Sequence, residues 1–200
     1  MVEVTVRQAL RAHVMKTVTG AALTLDELWV PRSHERADVA VIGRSMVGFE
    51  IKTERDTLKR LPRQMLAYGR LFDRCSVVVA ERHRHAAQEI LPEWWGIMVI
   101  DIGDKVAFTS VRKARPNPAL DPEILVRLLW RDEVISALVD LGHAPQNTAT
   151  RGSLWRELLG AASLSQIRAS VRRALLQRDH TNARLPSRRG ATVPALAPGQ

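Results

Sequence analysis

The stretch from Arg36 to Tyr68 decides the fold, and it reads RADVAVIGRSMVGFEIKTERDTLKRLPRQMLAY. It begins with two runs rich in strand-forming residues, 37–42 and 47–53, which the polar triplet 43–45 separates. Two such runs around a short polar turn predict a β-hairpin. From Thr57 the composition favours a helix, and Pro62 suits the first turn of one, so we predict a helix over about 61–72.

The segments outside this stretch extend the pattern in both directions. Upstream, apolar residues at helical spacing predict a helix over 4–17, and a short strand is predicted over 25–30. Downstream, we predict strands at 76–80, 96–102 and 106–111, and helices at 85–91, 121–142, 153–159 and 165–177. This order predicts an α/β fold in which helices flank a mixed central sheet, with a helical C-terminal extension.

The chain divides by composition into three parts. Residues 1–115 form the predicted α/β core, and the proline-containing segment Arg115–Pro118 is a linker. Residues 119–180 form a helical region whose last two helices have the proportions of a helix-turn-helix motif. Residues 181–200 lack an apolar period, so we expect a disordered basic tail.

Positive charge is concentrated at the C-terminal end of the chain. The formal net charge is +9, and residues 151–200 contain nine arginines but only two acids. This asymmetry predicts a polyanionic partner, nucleic acid before a membrane surface, although a merely soluble arginine-rich end stays an open alternative.

Other sequence features limit the class of protein. No apolar run reaches the roughly 18 residues of a membrane span, and the N-terminus does not resemble a signal peptide. The single cysteine, Cys75, fits a cytoplasmic location. A phosphate-binding Gly-x-x-x-x-Gly-Lys loop is missing, so we expect no nucleotide cofactor.

Three charged residues lie within the apolar strands of the hairpin. Glu50 and Lys52 share one face of their strand, because alternate residues point to the same side. If the turn is 43–45, the numbers of paired residues sum to 88 and Asp38 lies opposite Glu50. A two-residue turn would move Asp38 to the other face, so this register is inferred from the chemistry.

Charges in core strands need a partner or a metal. Two facing carboxylates can hold one magnesium ion, and a nearby lysine can orient the attacking water of a phosphodiester hydrolysis. A simple ion pair between Glu50 and Lys52 is the alternative interpretation.

The arrangement resembles the PD-(D/E)xK, or restriction-endonuclease-like, nuclease superfamily, whose core order is α-β-β-β-α-β. Glu50-Ile51-Lys52 matches the (D/E)xK motif, and Gln64 and Tyr68 match a Gln-x-x-x-Tyr pattern, whereas Ala37 replaces the nominal proline before Asp38. The chain is also similar to an uncharacterised family of bacterial and prophage proteins, and to MmcB-like DNA-repair proteins.

The resemblance implies roles for individual residues. Asp38, Glu50, Lys52 and Gln64 would be catalytic. The metal ligands would be Asp38, Glu50, the backbone carbonyl of Ile51 and, as an additional acid, Glu27. The metal would be Mg²⁺, for which Mn²⁺ could substitute. The substrate-binding residues would be Arg36 and Tyr68 together with Arg168, Arg172 and Arg173 of the last helix.

Three functional hypotheses follow from these observations. The first is a metal-dependent deoxyribonuclease that acts in defence, repair or mobile-element processing, with RNA as a substrate and a homodimer left open. The second is a non-catalytic DNA-binding or protein-interaction module that uses the nuclease fold. The third is a transcription regulator that acts through the C-terminal helices.

Overall fold

The computed structural model describes residues 2–146 and 148–178, and in them one six-stranded sheet carries helices on both faces. The strands are β1 (Leu23–Trp29), β2 (Arg36–Ile42), β3 (Met46–Lys52), β4 (Arg74–Ala80), β5 (Gly96–Ile102) and β6 (Val106–Arg112). The helices are α1 (Val2–Met15), α2 (Leu61–Gly69), α3 (Arg84–Ile90), α4 (Pro122–Val126), α5 (Arg131–Asp140), α6 (Arg151–Ala161) and α7 (Leu164–Gln177), with a 3₁₀ turn at Glu81–His83.

The sheet is mixed, and its strands lie in the order β1-β2-β3-β4-β5-β6. The pairs β3–β4 and β4–β5 are parallel, and the other neighbouring pairs are antiparallel. Parallel neighbours need a crossover, and α2 and α3 provide the two crossovers here. The predicted mixed α/β fold with a helical C-terminal region is confirmed. The division into parts at 115 and 119 stays a prediction, and the expected tail at 181–200 lies outside the described residues.

The register of the central hairpin agrees with the prediction. Val39 pairs with Phe49 and Ile42 pairs with Met46, so the numbers of paired residues sum to 88. The turn consists of the three residues 43–45, and the Gly43 amide donates a hydrogen bond to the Ser45 carbonyl oxygen at 3.1 Å. A slip by one residue would move every side chain of one strand to the other face of the sheet and would place Asp38 and Glu50 on opposite faces.

Each face of the sheet has its own apolar core. Helix α1 covers one face with Val6, Leu10 and Val14, which pack in one cluster with residues such as Phe49. Helices α2 to α7 belong to a second, larger cluster that includes Tyr68 among its buried side chains. Each buried large side chain contributes about 1.5–3 kcal/mol to stability. The C-terminal helices therefore share their core with the face of the sheet that α2 covers.

The single helix predicted over 121–142 is wrong, because the structure divides this segment into α4 and α5. Two side chains form hydrogen bonds with backbone groups at the break. The carboxylate of Glu133 accepts a hydrogen bond from the Trp130 amide at 2.6 Å, and Arg178 donates to the Leu128 carbonyl oxygen at 2.6 Å. The guanidinium of Arg178 also stacks over the Trp130 ring, 4.2 Å from its centroid. The contacts of Arg178 come from a distant part of the chain, and the apolar period of 121–142 contains no signal for them.

The segment between the sheet and α4 is anchored to the core. The Arg115 amide donates to the Trp94 carbonyl oxygen at 2.8 Å, and the side-chain amide of Asn117 donates to the Gly69 and Phe72 carbonyl oxygens. None of the helices in the described part of the chain combines the length and the apolar content that a membrane span requires.

Candidate functional site

The carboxylate of Glu50 is the centre of a buried polar cluster between β3 and α2. Its side chain is 3% exposed. Its Oε1 accepts hydrogen bonds from Lys52 Nζ and Gln64 Nε2, each at 2.5 Å. The alternation of β3 brings Lys52 to Glu50, and the one-turn spacing on α2 presents Gln64 and Tyr68 on the same side. These predicted residues therefore meet, and Glu50 obtains its partners from the protein itself.

The Tyr68 hydroxyl links the cluster to the start of β2. It lies 2.5 Å from both Glu50 Oε2 and the Arg36 carbonyl oxygen, and its single proton can be donated to only one of them at a time. Burial and the neighbouring negative charge of Glu50 raise the pKa of Tyr68 well above its usual value. The phenol therefore acts as a neutral donor. Arg36 contributes its backbone to this contact, while the residue as a whole is exposed.

Asp38 stands beside this cluster on β2. Its Oδ2 accepts a hydrogen bond from the Ile51 amide at 2.7 Å, so a side chain bridges the two strands beyond the last paired residues. Its side chain is 16% exposed. Burial, followed by the negative charge of Glu50, raises the pKa of Asp38 to about 7, and the Ile51 amide and Lys52 offset only part of this effect.

The guanidinium of Arg7 reaches the acids from α1. Its Nη2 lies 2.7 Å from Glu27 Oε1 and 3.5 Å from Asp38 Oδ1. Glu27 adopts a left-handed backbone conformation with a φ of 53°, which is rare for a residue other than glycine and costs roughly 1–3 kcal/mol. The contact between Arg7 and Glu27 offsets part of that cost.

Sequence reasoning missed Arg7, although a signal was present. Arg7 and Arg11 are four residues apart and flank the apolar stripe of α1, and Arg11 contacts Asp26 at 3.0 Å in the same way that Arg7 contacts Glu27. Two consecutive acids in β1 opposite two cations one turn apart on α1 indicate a pairing of these elements.

The donor set does not fit a magnesium ion as it is arranged. Both oxygens of Glu50 and Oδ2 of Asp38 already face protein donors, and Arg7 lies beside Oδ1 of Asp38. Among residues 2–146 and 148–178, no group of three or more His, Cys, Asp or Glu side chains is placed to hold a metal. A divalent ion would have to displace the cation of Arg7 or Lys52. Binding of Mg²⁺ or Mn²⁺ by Asp38, Glu50, Glu27 and the Ile51 carbonyl therefore stays a prediction that this geometry does not favour.

The three predicted arginines of α7 have different surroundings. Arg168 forms an ion pair with the buried Asp73 at 2.6 Å, and Asp73 also accepts a hydrogen bond from the Met46 amide at 2.7 Å. Arg168 is thus engaged within the protein, between α7 and the start of β3. Arg173 pairs with Asp140 of α5.

Arg172 and Arg173 line an open groove between α7 and the hairpin turn. The groove measures about 430 Å³, and the exposed Arg44 of the turn lies on its other side. Within the described ranges neither Arg44 nor Arg172 has an acidic partner. The groove therefore presents uncompensated positive charge next to the last helix.

A second feature that sequence reasoning missed is a buried acid under two exposed arginines. Glu35 is 1% exposed, Arg60 Nη2 donates to its Oε2 at 3.1 Å, and Arg63 Nε lies 2.5 Å from its Oε1. The hydrogen bond to Glu35 raises the pKa of Arg60 above its usual value. The two guanidinium groups thus share one buried carboxylate.

Fold and site together define the class of protein. It is a mixed-sheet α/β protein with a C-terminal helical region, and the carboxylates in its sheet are paired with cations of the same chain. Comparison with known proteins is more specific. The model of the bacteriophage P4 protein cII family matches residues 3–192, and the chain belongs to that family.

A curated relative, protein cII of Enterobacteria phage P4, is similar to this chain. It is 25% identical over 169 residues, which cover 84% of this chain and 64% of the relative. The chain thus spans slightly less than two thirds of the length of that relative. No solved structure matches the chain significantly.

The comparisons support the expected link to phages and overturn the expected enzyme. Both matches carry the name of bacteriophage P4 protein cII, and neither carries the name of a nuclease. The prediction of a metal-dependent deoxyribonuclease is therefore wrong. In the acid cluster, Gln64 and Tyr68 donate hydrogen bonds to Glu50 and Arg7 lies 3.5 Å from Asp38, so both carboxylates have partners within the protein.

Proposed function

We propose that this protein is a phage-type regulatory protein that binds DNA through its C-terminal helical region and does not cut it. The observation that carries the proposal is the cII family match, which extends over both the sheet and the C-terminal helices. The closure of the acid cluster by Arg7, Lys52 and Gln64 supports a structural role for the residues that resemble a catalytic site.

The helices α6 and α7 supply the elements that such a function needs. They are 11 and 14 residues long, and the short connection between them ends at Ser163, whose side chain caps α7 by accepting a hydrogen bond from the Gln166 amide. Helix pairs of this size are used to place a second helix against DNA. The groove beside α7 adds Arg44 and Arg172, which can contact phosphates.

A binding experiment with a labelled DNA duplex tests the proposal. We expect the purified protein to retard the duplex, with an affinity that falls steeply as salt rises, because phosphate contacts release counterions. R44Q/R172Q should weaken binding about thirtyfold, since two lost phosphate contacts at about 1 kcal/mol each remove about 2 kcal/mol. K105Q/R115Q removes the same charge from exposed positions on and beyond the β5–β6 hairpin and serves as the control.

The same samples test the absence of cleavage. After incubation with magnesium, the bound duplex should be recovered at full length. A protein that does not bind duplex DNA at low salt, or that degrades it, would contradict the proposed function.

A further inference from the structure

The surface of α2 carries an unusual concentration of positive charge. From Thr57 to Phe72 the chain has four cations and no acid. The cations are Lys59, Arg60, Arg63 and Arg70, which recur at helical spacing and so lie along one side of the helix and the turn before it. Arg70, at the end of the strip, also forms an ion pair with Asp121 at 2.7 Å. They extend over about 15 Å at the helical rise of 1.5 Å per residue. A strip of this length faces several charges of a DNA duplex, which carries about one negative charge per 1.7 Å of its axis.

The arginines at the centre of this strip are held in position and still accessible. Their side chains are 62% and 65% exposed for Arg60 and Arg63, whereas the carboxylate of Glu35 beneath them is 1% exposed. The buried carboxylate accepts a hydrogen bond from Arg60 and forms an ion pair with Arg63, which restricts both guanidinium groups while most of each side chain stays exposed. This lowers the conformational entropy that each arginine would lose on binding a phosphate.

A cleft next to the strip offers room for part of a nucleotide. It measures about 230 Å³, and its lining includes Ser33, His34, Arg63 and Arg70. Leu66, which is 67% exposed, also lines it and is among the most exposed large apolar side chains in the described part of the chain. Donors, cations and one apolar contact suit a sugar-phosphate segment, which has both a charged and an apolar part.

We infer that Arg60 and Arg63, positioned by Glu35, form a second DNA-backbone contact surface on α2. The inference rests on the proposed function and names a surface that lies away from the α7 groove. Glu35 lies just before β2, and Arg44 lies just after it. The strand is roughly 23 Å long at 3.3 Å per residue, and this length separates the two surfaces. Both flank helices of the same apolar core. A duplex that contacts both would therefore be held at two places.

Fluorescence anisotropy with the labelled duplex over a series of salt concentrations tests this surface. R60Q/R63Q should raise Kd about tenfold or more and lower the salt dependence by about two units, since each lost phosphate contact removes about 0.9. K105Q/R115Q, which loses the same charge elsewhere, should bind within about twofold of the parent protein.

A third variant separates the loss of DNA contacts from the effect of leaving the Glu35 carboxylate unpaired. R60Q/R63Q leaves Glu35 buried without its partners, whereas E35Q/R60Q/R63Q neutralises that carboxylate and so preserves the fold. If the arginines contact DNA, the triple variant binds as weakly as the double variant. If the triple variant recovers the affinity of the parent, or if the double variant binds as the parent does, the α2 surface is wrong while the proposed function stands. A parent protein that does not bind DNA overturns both.

Discussion

The raised pKa of Asp38 predicts a specific dependence of stability on pH. The native pKa of about 7 lies far above the ordinary value of 3.8, because the carboxyl group is buried beside Glu50. Between these two values the native state holds a proton that the unfolded state has lost. The free energy of unfolding therefore falls as pH rises through this window, and it stays at the lower level above pH 7.

The size of the effect follows from the shift. One pKa unit corresponds to about 1.4 kcal/mol, so a change from 3.8 to about 7 gives at most about 4 kcal/mol for Asp38. Asp38→Asn removes this contribution and keeps a side-chain oxygen that can accept the hydrogen bond from the Ile51 amide. The stability of the variant relative to the parent should thus rise with pH across the window, by up to that amount.

Urea denaturation at pH 5, 6, 7 and 8, followed by circular dichroism, measures the difference. Asp101→Asn, at an exposed position near the end of β5, is the matched control and should follow the parent profile. Parallel profiles for Asp38→Asn and the parent would refute the reasoning. So would a variant that loses relative stability as pH rises.

Two further predictions concern the packing of β3 against Phe72 and the charge of Arg7 beside Asp38. Gly48→Ala should destabilise the protein by about 1–3 kcal/mol in thermal or urea unfolding, because a Cβ there would lie 2.6 Å from the Phe72 ring. Gly152→Ala is the control and should not destabilise the protein, because a Cβ at that position meets nothing within 4 Å. Arg7→Met should lower the unfolding free energy by about 2 kcal/mol at pH 8 and by less at pH 5, because Asp38, with its pKa raised to about 7, holds a proton at the lower pH; equal losses at both pH values would contradict the charge argument.

Much of the fold was accessible from the sequence because the information is local. The strand-forming residues of 37–42 and 47–53 and the polar turn between them predicted the hairpin, and the expected facing of Asp38 and Glu50 predicted its register. The one-turn spacing of Gln64 and Tyr68 placed both on the side of α2 that faces Glu50. The break between α4 and α5 was not accessible, because it depends on Arg178, which follows α7.

The candidate site was accessible only in part. Asp38, Glu50 and Lys52 lie in two consecutive strands, so periodicity and register bring them together. The contacts of Arg7 with Glu27 and of Arg60 with Glu35 join elements that are distant in sequence. The spacing of Arg7 and Arg11 indicates that α1 faces β1, but it does not specify which cation meets which acid.

The sequence by itself determined most of the secondary structure, the mixed sheet and the proximity of the charged residues in the hairpin, since these depend on local propensity and on the burial of apolar faces. Only the tertiary structure decided what the charges do. Whether a buried carboxylate is free to bind a ligand depends on every donor that the rest of the fold brings to it. In this protein α1 brings Arg7 to Asp38, and α2 brings Gln64 and Tyr68 to Glu50.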